Sequence, residues 1–358
     1  MGWGLSVLKG PKSIEYGRFL YPSPMVRKVS DAIRGFLATE SAGGILLLIA
    51  TSIAIVSANT SLSTNYLKFW NPLQNFANTW LISLFFFLVG LEIKREFLSG
   101  NLRSFKSASL PIFAAMGGMI TPALIFSYMN RANEAGRGWA IAMPTDVALA
   151  IGMLALLGSR INISLKIFLL TLAIADDLGS IFIMGIFYSQ SIHLSEIAST
   201  FGAVALAWVL PSRGKITTDR LIELIHPWSS FFVIPVFALA NLGIALSGLS
   251  LTSAWDSHVV RGLVVARVIG KIVGITFFAW FVVKLGVARK PDDLTFMDIA
   301  GVGALAGMGL TVALIIANLS YQSPEMILDS KIGLLVTAVI SSVIGLGILL
   351  LSNQTPRK

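Results

Sequence analysis

Apolar residues gather into ten blocks, at about 42–58, 79–97, 107–129, 138–158, 164–188, 195–211, 229–249, 259–283, 298–320 and 331–352. Each block is about 17 to 25 residues long, enough for a helix to cross a hydrocarbon layer about 30 Å thick. The polar stretches between them are short, and none reads as a second, soluble domain. The pattern predicts an all-α polytopic membrane protein with about ten transmembrane helices. Ahead of the first block, Met25, Val26, Val29, Ile33, Phe36 and Leu37 recur at helical spacing among Arg27, Lys28 and Arg34. That is the signature of a helix lying on the membrane surface. Residues 1–40 contain no apolar run long enough for a signal-peptide core, so they read as an uncleaved tail, and 353–358 as a second one.

Composition removes the soluble alternative. The chain of 358 residues is 55% hydrophobic and only 13% charged, against roughly 25% charged in soluble domains, and its mean hydropathy is +0.79. The absence of cysteine excludes a disulfide framework, a thiolate metal site and a cysteine nucleophile. The net charge of +9 is spread between apolar blocks rather than clustered, which argues against a nucleic-acid partner. Its distribution has a direction. With the amino terminus inside, cytoplasmic segments hold 20 of the 27 Lys and Arg, and the outer loops hold Lys68, Arg131, Arg137, Arg261 and Lys331. The positive-inside rule then places both termini in the cytoplasm.

Several blocks carry groups that a lipid-facing helix avoids. Asp176 and Asp177 stand at the centre of the fifth, about 18 Å from either end. An ionised aspartate at that depth costs about 2.5–3.5 kcal/mol on insertion scales, and a neighbour of like charge adds to it. The fourth block contains Pro144, Thr145 and Asp146. Proline removes a donor and disfavours helix in the residue before it, so Met143 marks a break whose freed carbonyls can hold a desolvated cation. Lys271 is central in the eighth block, and a buried Asp–Lys pair is the cheapest way to keep these charges. Asp176 and Asp177 point about 100° apart on a helix, so one pairs with Lys271 while the other faces a cavity. The ninth block carries Gly301, Gly303, Gly307 and Gly309 before Thr311. Close helix packing accounts for such glycines equally well. Set beside the fourth block, they suggest two discontinuous helices in matching positions of two inverted halves.

The segments FFFLVGLEIKREFLSG at 85–100, GWAIAMPTDVALAIGMLALLGSR at 138–160, LKIFLLTLAIADDLGS at 165–180, HPWSSFFVIPVFALANLGI at 226–244 and IGKIVGI at 269–275 resemble the NhaA family of sodium/proton antiporters. That family is itself an established example of inverted repeats, so the resemblance implies crossing discontinuous helices rather than testing them. It implies a transporter, not an enzyme, of the bacterial inner membrane. Sodium or lithium ions and protons would be its substrates, with no cofactor. Asp176 and Asp177 match the aspartates that bind the transported cation and protons by turns, and Thr145 and Asp146 the polar residues of the unwound helix. Lys271 matches the lysine paired with the first aspartate, which accompanies electrogenic exchange. Glu92, Arg95 and Glu96 match a cluster implicated in pH activation; an ordinary charged helix end at the membrane surface reads the same way. The resemblance further implies one transport domain over 41–352, with a core of 105–188 and 259–352 and a scaffold of 41–99 and 195–250.

The chain departs from the family pattern in four places. Between Tyr188 and His226 it has room for one span where family members have about two more, which preserves the later topology. The loop from Asn59 to Asn78 is short where the family builds a hairpin used in dimerisation, so the resemblance does not carry a homodimer over to this chain. The acid four residues before the histidine of HPW is Ile222 here, with Glu223 one position on. Arg267 lies one turn from Lys271 where an apolar residue is expected, placed to reach an outer funnel or to compete for an aspartate. A sodium-coupled organic-solute symporter and a transport-dead scaffold or sensor both remain open on the residues. The ten-span reading predicts a cytoplasmic reporter after Lys358 and a tag near Gln190 accessible from outside; a carboxy terminus outside would exclude it.

Overall fold

Apolar blocks whose backbone groups cannot bond to lipid must satisfy them internally, and the chain does so with helix throughout. In the computed structural model the backbone is described for 24–103, 105–188, 194–211, 217–245 and 251–354, and among these residues there is no strand. Side chains of the expected surface helix at 25–37, together with Gln190 and Lys358, lie outside the described residues. Contacts gather the described residues from Thr39 onward into one compact unit.

The helices in chain order are α1 (Pro24–Ala58), α2 (Ser63–Phe76), α3 (Ile82–Leu98), α4 (Phe105–Met129), α5 (Val147–Ala155), α6 (Ile163–Phe187), α7 (Leu194–Val209), α8 (Thr218–Trp228), α9 (Ile234–Asn241), α10 (Leu251–Asp256), α11 (His258–Val265), α12 (Lys271–Lys284), α13 (Phe296–Leu305), α14 (Thr311–Ser320) and α15 (Pro324–Gln354). Among the described residues, seven helical stretches are long and apolar enough to cross a membrane. An eighth is the 3-10 segment Glu134–Ala142 joined to α5 across a bend of 52°. The shorter apolar helices α13 and α14 fall where the sequence places its ninth block, and α7 where it places the sixth. The protein is an all-α polytopic membrane protein.

Three spans differ most from the expected bounds; the tenth starts at Pro324 rather than 331, so Lys331 lies within α15 and not in an outer loop. The second runs as one stretch from Ser63 to Leu98, so the expected outer loop is helical from Ser63 onward. Polar residues such as Asn65, Lys68 and Gln74 hide it from a hydropathy reading. Several side chains of this stretch bond to the end of α9. Tyr66 donates to the Leu239 carbonyl, Gln74 Nε2 to Ala240 O at 3.2 Å, and Asn241 Nδ2 to Asn78 Oδ1 at 2.8 Å. The seventh span covers Thr218–Asn241 rather than 229–249. Its first helix is amphipathic, with Ile222 buried against Leu88, Leu91 and Ala207, so its apolar content is diluted along the sequence.

Three spans contain a wide π turn, at Ala77–Leu81, Ser229–Val233 and Ala266–Gly270. The second lies just before Pro235, whose missing N–H requires a local adjustment of the ladder. The third sits between α11 and α12 and carries Arg267.

The backbones of α4 and α12 approach each other closely. A Cβ built on Gly274 would lie 2.2 Å from the Gly117 carbonyl oxygen, and one on Gly117 would lie 2.3 Å from that of Gly274. Only glycine fits there, which sets how closely α12, the helix that begins at Lys271, lies against α4. Gly274→Ala is expected to destabilise the fold by about 1–3 kcal/mol through overpacking, read as a lower melting temperature of the purified protein. Gly347→Ala, with nothing within 4 Å of its Cβ, serves as the control. Equal melting temperatures would contradict the contact.

Candidate cation site

The fourth span breaks as its proline requires. Helical bonding stops at Ala142, Asp146 is extended at φ −89° and ψ 105°, and α5 starts at Val147. The ninth span breaks between Ala306 and Leu310. The two breaks touch: Asp146 N donates to Met308 O at 2.9 Å, and Thr145 Oγ1 lies 3.0 Å from Ala306 O.

A break at the centre of the hydrocarbon leaves two kinds of exposed helix end. The amino ends of α5 and α14 carry unpaired N–H groups and the positive ends of their dipoles. Asp146 serves both. Its Oδ1 accepts from Leu149 N at 3.2 Å, and its Oδ2 from Thr311 Oγ1 at 3.0 Å and Thr311 N at 3.4 Å. The carboxyl ends of the preceding segments carry free carbonyls, and two cations serve these. Lys271 donates to Met143 O, to Thr145 Oγ1 at 3.0 Å and to Asp176 Oδ2 at 2.6 Å. Arg267 donates from Nε to Gly307 O at 3.0 Å, from Nη1 to Ile141 O at 2.7 Å and from Nη2 to Pro144 O at 2.8 Å.

Asp176, Asp177, Asp146, Thr145 and Lys271 therefore form one buried constellation, and Asp176 and Lys271 are both 0% exposed. Asp176 is an ion-pair partner, with Thr145 Oγ1 2.6 Å from the same Oδ2 that meets Lys271. Asp177 is different: its buried Oδ1 has no hydrogen-bond partner, nor have Asp176 Oδ1 and Ser180 Oγ. These unsatisfied oxygens belong to residues on one helix, at 176, 177 and 180. Buried oxygens without donors are what a desolvated cation or a proton would satisfy. Ser180 was missed in the sequence, although its spacing of three and four residues from the aspartates places it on their side of α6.

The sequence offers two roles for Arg267, an outer funnel or a contest for an aspartate, and both need correction. Its side chain is 0% exposed, and each of its three nitrogens donates to a main-chain carbonyl.

Of the four pH-sensing candidates, Glu92, Arg95 and Glu96 lie on α3, and Glu96 is buried. Glu223 does not join them. It is exposed on α8, while Ile222 turns into the core. The group that meets the cluster is His226, whose Nε2 lies 3.9 Å from Glu92 Oε1. Lys94, also unremarked in the sequence, is buried and donates to Trp208 O at 2.8 Å, Ala207 O at 3.3 Å and Leu210 O. Those bonds cap the end of α7.

With this geometry in place, comparison with known proteins is direct. The family model for Na+/H+ antiporter 1 matches residues 34–218 and 194–349. The chain belongs to the Na+/H+ antiporter 1 family. Its two matched pieces meet over 194–218, inside the stretch that the sequence reads as shortened. Among the curated relatives, "Na(+)/H(+) antiporter NhaA 2" of Erythrobacter litoralis is 35% identical, covering 93% of this chain and 97% of the relative. "Na(+)/H(+) antiporter NhaA" of Shewanella sp. strain W3-18-1 is 37% identical, over 92% of this chain and 100% of the relative. The Yersinia pseudotuberculosis protein of that name (serotype O:3) is 36% identical over 92% and 99%. The Shewanella alignment extends over 392 residues, more than the 358 of this chain, so that relative has residues without a counterpart here.

Glu96 is buried one helical turn along α3 from Glu92, which meets His226 of α8. Glu96→Gln is expected to shift the pH dependence of transport more than it lowers the maximal rate, measured in proteoliposomes across a pH series. An unchanged profile would make α3 an ordinary charged helix end.

Proposed function

We propose that the protein exchanges cytoplasmic sodium or lithium for external protons across the bacterial inner membrane, with both termini in the cytoplasm, and that the exchange is electrogenic and regulated by pH. The observation that carries this reading is the Asp177 carboxylate, buried at the crossing of two broken helices beside an Asp176–Lys271 pair, with an oxygen that no protein donor satisfies. The names of the relatives agree with it.

The chemistry follows from charge. Three aspartates face two cations at the crossing, so the cluster is closest to neutral when it has taken up one further positive charge. A sodium ion on Asp177 supplies it, and so does a proton. The two therefore compete for the same oxygens, and only a loaded site passes cheaply between inward and outward access. The empty site keeps an uncompensated charge and stays where it is, which prevents leak. Asp176 carries a second exchangeable proton whenever Lys271 releases it, so more than one proton is exchanged per sodium and the cycle responds to membrane potential. The proton gradient then drives sodium out of the cell. Asp146 is a fixed carboxylate that holds two helix ends together.

Sodium-triggered collapse of an imposed pH difference in vesicles holding the purified protein tests the activity. Asp177→Asn keeps the shape and removes the charge that compensates a desolvated cation. Exchange by this variant is expected to fall to the level of empty vesicles at every pH. Exchange at the parental rate would overturn the assignment.

A further inference from the structure

We propose that Arg267 is a positioning residue for cation binding: one guanidinium pins the carboxyl ends of both broken helices together, and the shape of the cation site depends on that pin. The inference rests on the exchange reading above.

Three observations meet here. Arg267 bonds to both breaks at once, reaching Ile141 and Pro144 on one and Gly307 on the other. No other side chain at the crossing bridges their carboxyl ends in this way among the described residues: the one main-chain carbonyl that Lys271 meets is that of Met143, and Thr145, which meets Ala306 O, itself belongs to the fourth-span break. The ninth span is cut to fit the guanidinium, because a Cβ on Gly309 would lie 2.1 Å from Arg267 Nη2 and 2.7 Å from Pro144 O. A Cβ on Gly307 would lie 3.0 Å from the Arg267 carbonyl oxygen. Of the two glycines of GMGLT, which the sequence explains equally well by close packing, Gly309 thus makes room for a side chain from the eighth span, while Gly307 packs against the Ser341 hydroxyl and the eighth-span backbone. Finally, Arg267 sits in the π turn Ala266–Gly270, directly before the helix that presents Lys271. One turn of the chain therefore delivers both the ion-pair cation and the pin.

The physical argument concerns geometry as much as charge. Carbonyls at the ends of half-helices carry partial negative charge, and left unpaired in a low-dielectric centre they repel each other across the crossing. A planar guanidinium has donors fixed in a fork, so it holds three acceptors in set directions. Thr145, whose hydroxyl meets Asp176 Oδ2, is next to Pro144, whose carbonyl meets Arg267. Shifting the pin shifts the residue that orients the aspartate. A lysine supplies the same charge on a flexible stem but cannot reproduce the fork.

The test uses Arg267→Lys, Arg267→Gln and Gly309→Ala in the full-length protein, with transport measured in proteoliposomes and sodium-dependent thermal stabilisation measured in detergent. All three variants are expected to raise the KM for sodium by about tenfold or more, as loss of bonds to a charged group implies. The maximal rate per folded protein should fall less than KM rises, the KM ratio of lithium to sodium should change, and the thermal stabilisation should need correspondingly more sodium. A residue that serves folding alone would lower the amount of protein and leave the KM and the ion ratio of the remainder at parental values, which would overturn the proposal. A parental KM in Arg267→Lys would also overturn it, since charge without the fork would then suffice. Failure of all three variants to accumulate would place Arg267 in folding and overturn it too. If the parental protein itself exchanges no sodium for protons, the reading of the function fails instead, and the two failures are distinguished by that control.

Discussion

Two broken helices expose four ends buried inside the protein, and the residues around them are arranged to neutralise those ends. Asp146 answers the two amino ends through its two carboxylate oxygens. Arg267 and Lys271 answer the carboxyl ends. Opposite dipole ends thus meet opposite formal charges within one layer of the protein. Remove the breaks and none of these charges has a reason to be there. The tight glycine contact between α4 and α12 holds the span that carries both cations against α4.

The neutralised crossing separates structural charge from exchangeable charge. Asp146 and Arg267 are each bonded to main-chain groups of both broken spans. Asp176 is held by Lys271 and Thr145, and Asp177 keeps an oxygen with no protein donor. A site made of one held and one unheld carboxylate suits a substrate that must bind and leave, because a fully satisfied pair would have no affinity to spare. The charge cluster of α3 is separate in the chain, but Glu92 both meets His226 of α8 and lies close enough to Asp177 for their charges to interact.

Much of this was legible in the sequence, for one reason: charge in a hydrocarbon layer is expensive enough to be informative on its own. Asp146, Asp176, Asp177 and Lys271 stood out against apolar surroundings, and Pro144 announced the break beside them. What escaped notice had no such contrast. Ser180 is small and common in membrane helices, and only its unpartnered hydroxyl in three dimensions draws attention. Lys94 was hidden among the charges of a helix end, although it is buried on the carbonyls of α7. Arg267 was visible, but its partners are main-chain atoms of two other spans, which no side-chain pattern reveals. The helical stretch from Ser63 and the early start of the seventh span failed for the opposite reason. Their polar residues lower the local hydropathy while bonding to, or packing against, neighbouring helices.

The bonds at the crossing span long intervals of sequence, and synthesis of the chain gives those intervals a duration. Lys271 follows Asp176 by 95 residues, and Arg267 follows Pro144 by 123. At translation speeds of about 5–20 residues per second, the cations arrive roughly 5–25 s after their partners. During that time the fourth and fifth spans have left the ribosome with three aspartates and none of the positive charge that later balances them. A carboxyl group in apolar surroundings is cheapest in its neutral form, and it is the eighth span that brings the cations with which these groups and carbonyls pair.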